Sequence, residues 1–130
     1  MLKKFTNKKG FTLMEMLIVV AIIAVLIAIA IPTFASQLNK ARVATDEANI
    51  RSGYADVMLK ILTAETDIAN GTTYKLKADG TTDTAGGYKT KGKPTGTVEI
   101  SGVTVTGWTA TGQTVTYTVK DGKVDTITVG

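Results

Sequence analysis

Lys8-Lys9-Gly10-Phe11-Thr12-Leu13-Met14-Glu15 is the stretch on which the reading of this chain turns. Lysines stop at Gly10. From Phe11 to Ala35 every residue is apolar or small, apart from Thr12, Glu15 and Thr33. Met16 to Ile31 contains no polar side chain, and with its flanks the run reaches the roughly 20 residues that cross a bilayer as a helix. A lone carboxylate, Glu15, therefore lies near the start of a hydrocarbon-length helix. On insertion scales a mid-membrane acid costs roughly 2.5–3.5 kcal/mol, so an acid kept there points to a function. An uncleaved signal anchor and a cleaved secretory signal are the plainer readings of such a run. The second needs a small-x-small site after the apolar core, and Pro32-Thr33-Phe34 is a poor match.

Outward from this stretch, residues 1–10 are a basic leader. The 130-residue chain has a formal charge of +4, and Lys3, Lys4, Lys8 and Lys9 supply all of it. The basic balance thus belongs to the leader, where it acts as the positive-inside signal that holds the N-terminus in the cytoplasm and leaves the remainder outside. Gly10 suits a cut site, because a backbone without a side chain enters a protease cleft unobstructed.

Lys-Gly-Phe-Thr-Leu-Met-Glu resembles the class III signal of type IV pilins and pseudopilins, and the resemblance extends from Lys8 to about Ala35. It implies cleavage after Gly10 by a membrane peptidase, methylation of the new N-terminal Phe11, and an assembly role for Glu15 at the fifth mature position. The implied partners are further copies in a homopolymer, the prepilin peptidase/methylase, an inner-membrane assembly platform, and membrane lipid before assembly. The implied location is a single-pass prepilin in the cytoplasmic membrane, then a surface filament. Pro32 also fits the pattern. It lacks an N–H and opposes the carbonyl of Ala28, so a helix kink is expected there. A glycine that the family often carries midway along the run is Ala24 here. The absence of cysteine departs from the disulfide-closed Gram-negative pattern and leans toward a Gram-positive type.

The spacing predicts that the helix continues over 36–69, with Leu38, Ala41 and Ala48, then Ile50, Tyr54, Val57, Ile61 and Ile68, facing a sheet. Lys40, Arg42, Asp46, Glu47 and Asp56 are assigned to its solvated faces, and Asn70-Gly71 to its stop. Residues 70–95 read as a variable loop rich in Gly, Thr and Lys. Tyr-Lys-x-Lys occurs twice, so an extended chain puts Lys75 and Lys77, then Lys89 and Lys91, on the face opposite Tyr74 and Tyr88. With Lys93, five lysines meet only Asp79 and Asp83. The functional reading is a patch for DNA or a surface glycan; the plain one is a solvated loop. Asp79-Gly80-Thr81-Thr82-Asp83 has too few acids at the wrong spacing for an EF-hand and reads as a turn.

Over 96–130 the period changes to two. Val98 and Ile100, Val103 and Val105, Val115, Tyr117 and Val119, then Val124, Ile127 and Val129 alternate with threonines, and Lys120-Asp121-Gly122-Lys123 is a strong hairpin signal. The class is α+β: a long N-terminal helix whose second half packs on a small antiparallel sheet, with Trp108 as a core or edge anchor. With no His and no Cys, Ser-His and Cys-His catalysis and a His-based metal site are excluded; no Gly-rich phosphate loop is present. No enzyme, cofactor or metal is expected. The expected function is structural: a pilus subunit polymerising through its apolar helix, for adhesion, motility or DNA uptake. A pseudopilin of a competence or type II secretion apparatus is the alternative. A membrane-anchored binding module is a further one, but it has no use for Gly10, Phe11 and Glu15 together.

Overall fold

The computed structural model describes residues 12–130. Two compact units divide the chain after Gln37, and one helix, α1 (Leu13–Thr63), contributes to both.

In the first unit α1 is apolar on every side. Its large side chains from Leu13 to Phe34 are 43–68% exposed. A helix apolar all round is stable only in lipid or within a bundle of other helices. This segment is long and apolar enough to cross a membrane.

The second unit is a six-stranded sheet with α1 packed on one face. Its strands are β1 (Thr73–Leu76), β2 (Thr82–Asp83), β3 (Val98–Ile100), β4 (Val103–Thr106), β5 (Val115–Lys120) and β6 (Lys123–Val129), in the order β2-β1-β5-β6-β4-β3. Alternation decides the inner face. Val115, Tyr117 and Val119 of β5 and Val124, Ile127 and Val129 of β6 are buried, while their threonines face water. Asp121 (φ 52°) and Gly122 (φ 73°) both take the left-handed conformation that a two-residue hairpin of matching twist requires. Ser101 and Gly102 do the same between β3 and β4. Tyr117 ties sheet to helix: its hydroxyl donates to the Ile50 carbonyl at 2.6 Å.

Four expectations need correction. The helix ends at Thr63, not 69, and leaves room for Ile68 to turn in against the core and for Gly71 N–H to reach the Val119 carbonyl at 2.8 Å. The expected loop contributes β1 and β2, because Leu76 and Thr82 are buried and pull their strands into the sheet. The sheet is not wholly antiparallel, since β4 pairs parallel with β6. Finally, the core-facing stripe of α1 is Val43, Asp46, Ile50, Gly53 and Val57, whereas Leu38, Ala41 and Ala48 are exposed. Ile50, Tyr54, Val57, Ile61 and Ile68 do lie in or against the core.

Candidate assembly helix and basic segment

The start of α1 is built by two side chains. The Thr12 hydroxyl oxygen accepts the Glu15 N–H at 3.1 Å, and Glu15 Oε2 accepts the Thr12 N–H at 3.0 Å. This reciprocal pair is a capping box. The first N–H groups of a helix have no partner within it, and in hydrocarbon no water replaces one. Glu15 satisfies one such donor and places a negative charge at the positive end of the helix dipole. Its other oxygen, Oε1, makes no hydrogen bond among the described residues. Gly10 and Phe11 lie outside those residues. Pro32 lies inside α1, which continues through it, and the Thr33 hydroxyl donates to the Ile29 carbonyl at 3.1 Å.

Beyond Gln37, α1 has a second face. Ala41, Thr45, Ala48, Ser52, Ala55, Leu59 and Leu62 recur at alternating intervals of four and three, all are exposed, and none is charged. Leu59 and Leu62 are 58% and 77% exposed. Such a seven-residue repeat of small and apolar side chains is the pattern of a helix-packing seam.

Side chains of α1 between Asn39 and Lys60 carry the segment 80–93. Asn39 exchanges two hydrogen bonds with the Lys93 main chain, at 2.8 and 3.0 Å. Asp46, fully buried, accepts the Tyr88 hydroxyl and the N–H groups of Lys91 and Gly92 at 2.8 and 2.7 Å. Asn49 donates to the Tyr88 oxygen, Ser52 to the Gly80 carbonyl, and Asp56 and Lys60 grip Thr82. Of the charges assigned to solvated faces, Asp46 and Asp56 are therefore fasteners, whereas Lys40 and Arg42 are exposed as expected. From the other side, Trp108 Nε1 donates to the Gly92 carbonyl at 3.0 Å, and Thr90 bonds to Gln113 and Gly112. Gly92 is obligatory in this strap, since a Cβ there would run into the Val43 nitrogen.

The five lysines fall into two groups. Lys75 is half-buried on β1, and Lys77 lies 3.9 Å from both Asp79 and Asp83. Lys89, Lys91 and Lys93 are exposed, alternating with buried Tyr88, Thr90 and Gly92. Asp79 and Asp83 close turns by accepting from Thr81 and from Ala85 and Gly86, which holds both carboxyls below the usual range. Among the described residues no three or more acids gather as metal ligands would.

Two functional residues escaped the sequence reading. Thr12 had a signal, Thr-x-x-Glu before an apolar run. Asp46 had only its spacing within a core stripe.

Residues 5–31 match the family model described as the prokaryotic N-terminal methylation motif. A 50-residue stretch is 50% identical to the type IV narrow pilus major component PilA5 of Thermus thermophilus, covering 36% of this chain and 43% of that protein. The match thus spans less than half the length of the relative. No solved structure matches the chain.

Proposed function

We propose, from the premise that the chain is type IV pilin-like at its N-terminus, that it is a structural subunit of a type IV pilus rather than an enzyme. The observation that carries the reading is the motif match over residues 5–31, laid on a helix whose large apolar side chains from Leu13 to Phe34 are all exposed. Lysines of the leader keep the N-terminus in the cytoplasm, and the sheet unit is outside. The peptidase hydrolyses the Gly10–Phe11 bond, and Phe11 is methylated. Glu15, oriented by Thr12, offers Oε1 to the Phe11 ammonium of a subunit already assembled; a charge in hydrocarbon persists when it is paired. Burial of α1 against its copies then holds the filament. The uncharged seam from Ala41 to Leu62 supports this reading, because it extends a helix-packing surface into the sheet unit. The filament serves adhesion, motility or DNA uptake.

N-terminal mass spectrometry of sheared filaments tests the proposal. The expected chain begins at methylated Phe11. Filaments whose subunits start at Met1, or beyond Phe34, would overturn it. In cells that co-express both forms, Glu15→Val subunits should insert and be cleaved yet enter filaments rarely.

A further inference from the structure

The strap that α1 holds in place presents Lys89, Lys91 and Lys93 as a ladder. We infer that this ladder, joined by Lys40, binds the phosphate backbone of double-stranded DNA without regard to sequence.

Preorganisation is the first argument. The main chain of 88–93 is bonded at Tyr88, Thr90, Lys91, Gly92 and Lys93 to helix, β1 and the 107–113 turn. Each lysine is thereby set on one face at every second residue, a repeat of about 7 Å. Ordering the backbone at the moment of binding costs affinity, and here it is already ordered.

Charge is the second. No carboxylate lies within ion-pair distance of Lys89, Lys91 or Lys93 among the described residues. Lys40 of α1 and Lys93 line one cavity of about 350 Å³. The nearby acids are Glu47, which lines the same cavity, and Asp46, which lies buried behind the strap with its oxygens taken by three donors. Lys77 is different: its two carboxylate neighbours cancel its field. With Lys75 half-buried on β1, the sequence-based patch of five loses two members and gains Lys40.

The third argument chooses the ligand. Binders of single strands stack bases on aromatic side chains. Tyr88 and Trp108 are 5% and 7% exposed, and Tyr74 packs inward against the core. The ladder therefore offers point charges and no stacking platform. That suits a duplex, whose bases are already stacked and whose phosphates give affinity without sequence information.

The test is duplex binding by the full chain in nonionic detergent, which needs no filament and so fails or succeeds independently of the pilin reading. Three phosphate contacts give a slope of log K against log salt of about −2.7, a loss of about 40-fold between 50 and 200 mM. K89Q/K91Q/K93Q, all at exposed positions, should flatten the slope by about that amount, and circular dichroism should show the fold intact. Leader lysines are common to both proteins and cancel in the difference. K77Q should leave the slope unchanged. The inference fails if the triple variant matches the parent, if K77Q costs as much as K91Q, if a poly-dT strand binds tighter than duplex, or if heparin binds and duplex does not.

Discussion

The phenol of Tyr88 donates its hydrogen bond to a fully buried carboxylate, that of Asp46, across 42 residues of sequence. Asp46 occupies a core position of α1, and three donors from 88–92 replace the water it gave up. Its removal would strand two main-chain N–H groups and a phenol in a dry site. Asp46→Ala should therefore cost about 3–5 kcal/mol, enough to show as a large fall in urea midpoint. Tyr88→Phe loses one donor of three and should cost about 1–2 kcal/mol. Equal midpoints for Asp46→Ala and the parent would remove Asp46 from its anchoring role.

Alkaline pH probes the same cluster. Burial, reinforced by the hydrogen bond to Asp46, pushes the Tyr88 phenol up to about 12. Burial raises Tyr117 as well. Unfolded phenols ionise near pH 10, so above that pH the unfolded chain binds fewer protons than the folded one. The contribution of these phenols to stability should be level below about pH 10 and fall as pH rises toward 12. Tyr88→Phe should make that fall shallower, with Tyr117 accounting for what is left. Asp56 works in the opposite sense. Burial alone would raise its carboxyl, but Lys60 and the Thr82 hydroxyl and N–H outweigh it and hold it low. Its contribution is present above about pH 4 and lost as pH falls below, so Asp56→Asn should flatten the acid limb of a stability–pH curve.

Gly53 sits where α1 crosses the sheet. A Cβ there would collide with the Tyr117 hydroxyl and come 2.7 Å from Leu76 Cδ1. In an open helix Gly→Ala gains up to about 1 kcal/mol. Here Tyr117 cannot withdraw without losing its bond to Ile50, so overpacking of about 1–3 kcal/mol wins. Gly53→Ala should lower the melting temperature; a rise would mean that Tyr117 yields.

Much of this fold is legible in the sequence where burial and pattern coincide. The apolar run, the Asp121-Gly122 hairpin and the alternating Val115, Tyr117 and Val119 each carry their own local signal. Where the partner is remote, the signal disappears. Asp46 looks like a solvent-facing acid until Tyr88, Lys91 and Gly92 supply its donors. Leu38, Ala41 and Ala48 form a regular stripe, but so do Val43, Ile50, Gly53 and Val57, and periodicity alone does not say which meets the sheet. The strap reads as loop by composition, yet Tyr-Lys-x-Lys already displayed its alternation. Nothing local announces the parallel pairing of β4 with β6.

The uncharged seam of α1 makes its own prediction. Ala48→Glu and Ala55→Glu place charges on exposed positions of this seam. The free energy of unfolding in urea should change by less than about 0.5 kcal/mol. Filament yield should fall, because a carboxylate buried between copies would lose its water without gaining a partner. Normal filaments from both variants would restrict assembly to the segment before Gln37.

Glu15 now has two candidate roles, and one substitution separates them. As a cap it needs an acceptor oxygen; as the partner of an ammonium it needs a negative charge. Glutamine closes a capping box as glutamate does, so Glu15→Gln preserves the helix start and removes only the charge. Glu15→Val removes both. Thr12→Val removes the hydroxyl that accepts the Glu15 N–H, at about 1 kcal/mol, while Thr12→Ser keeps it. If charge recruits the next subunit, Glu15→Gln should lose filaments as completely as Glu15→Val. Thr12→Val should then assemble at reduced yield, and Thr12→Ser should restore it. Sheared filaments weighed against cleaved subunit left in the membrane give the readout, since each variant keeps Gly10 and the leader lysines and should still be processed. Wild-type filament yield from Glu15→Gln would sink the pairing, and leave the capping box as the whole of what Glu15 contributes.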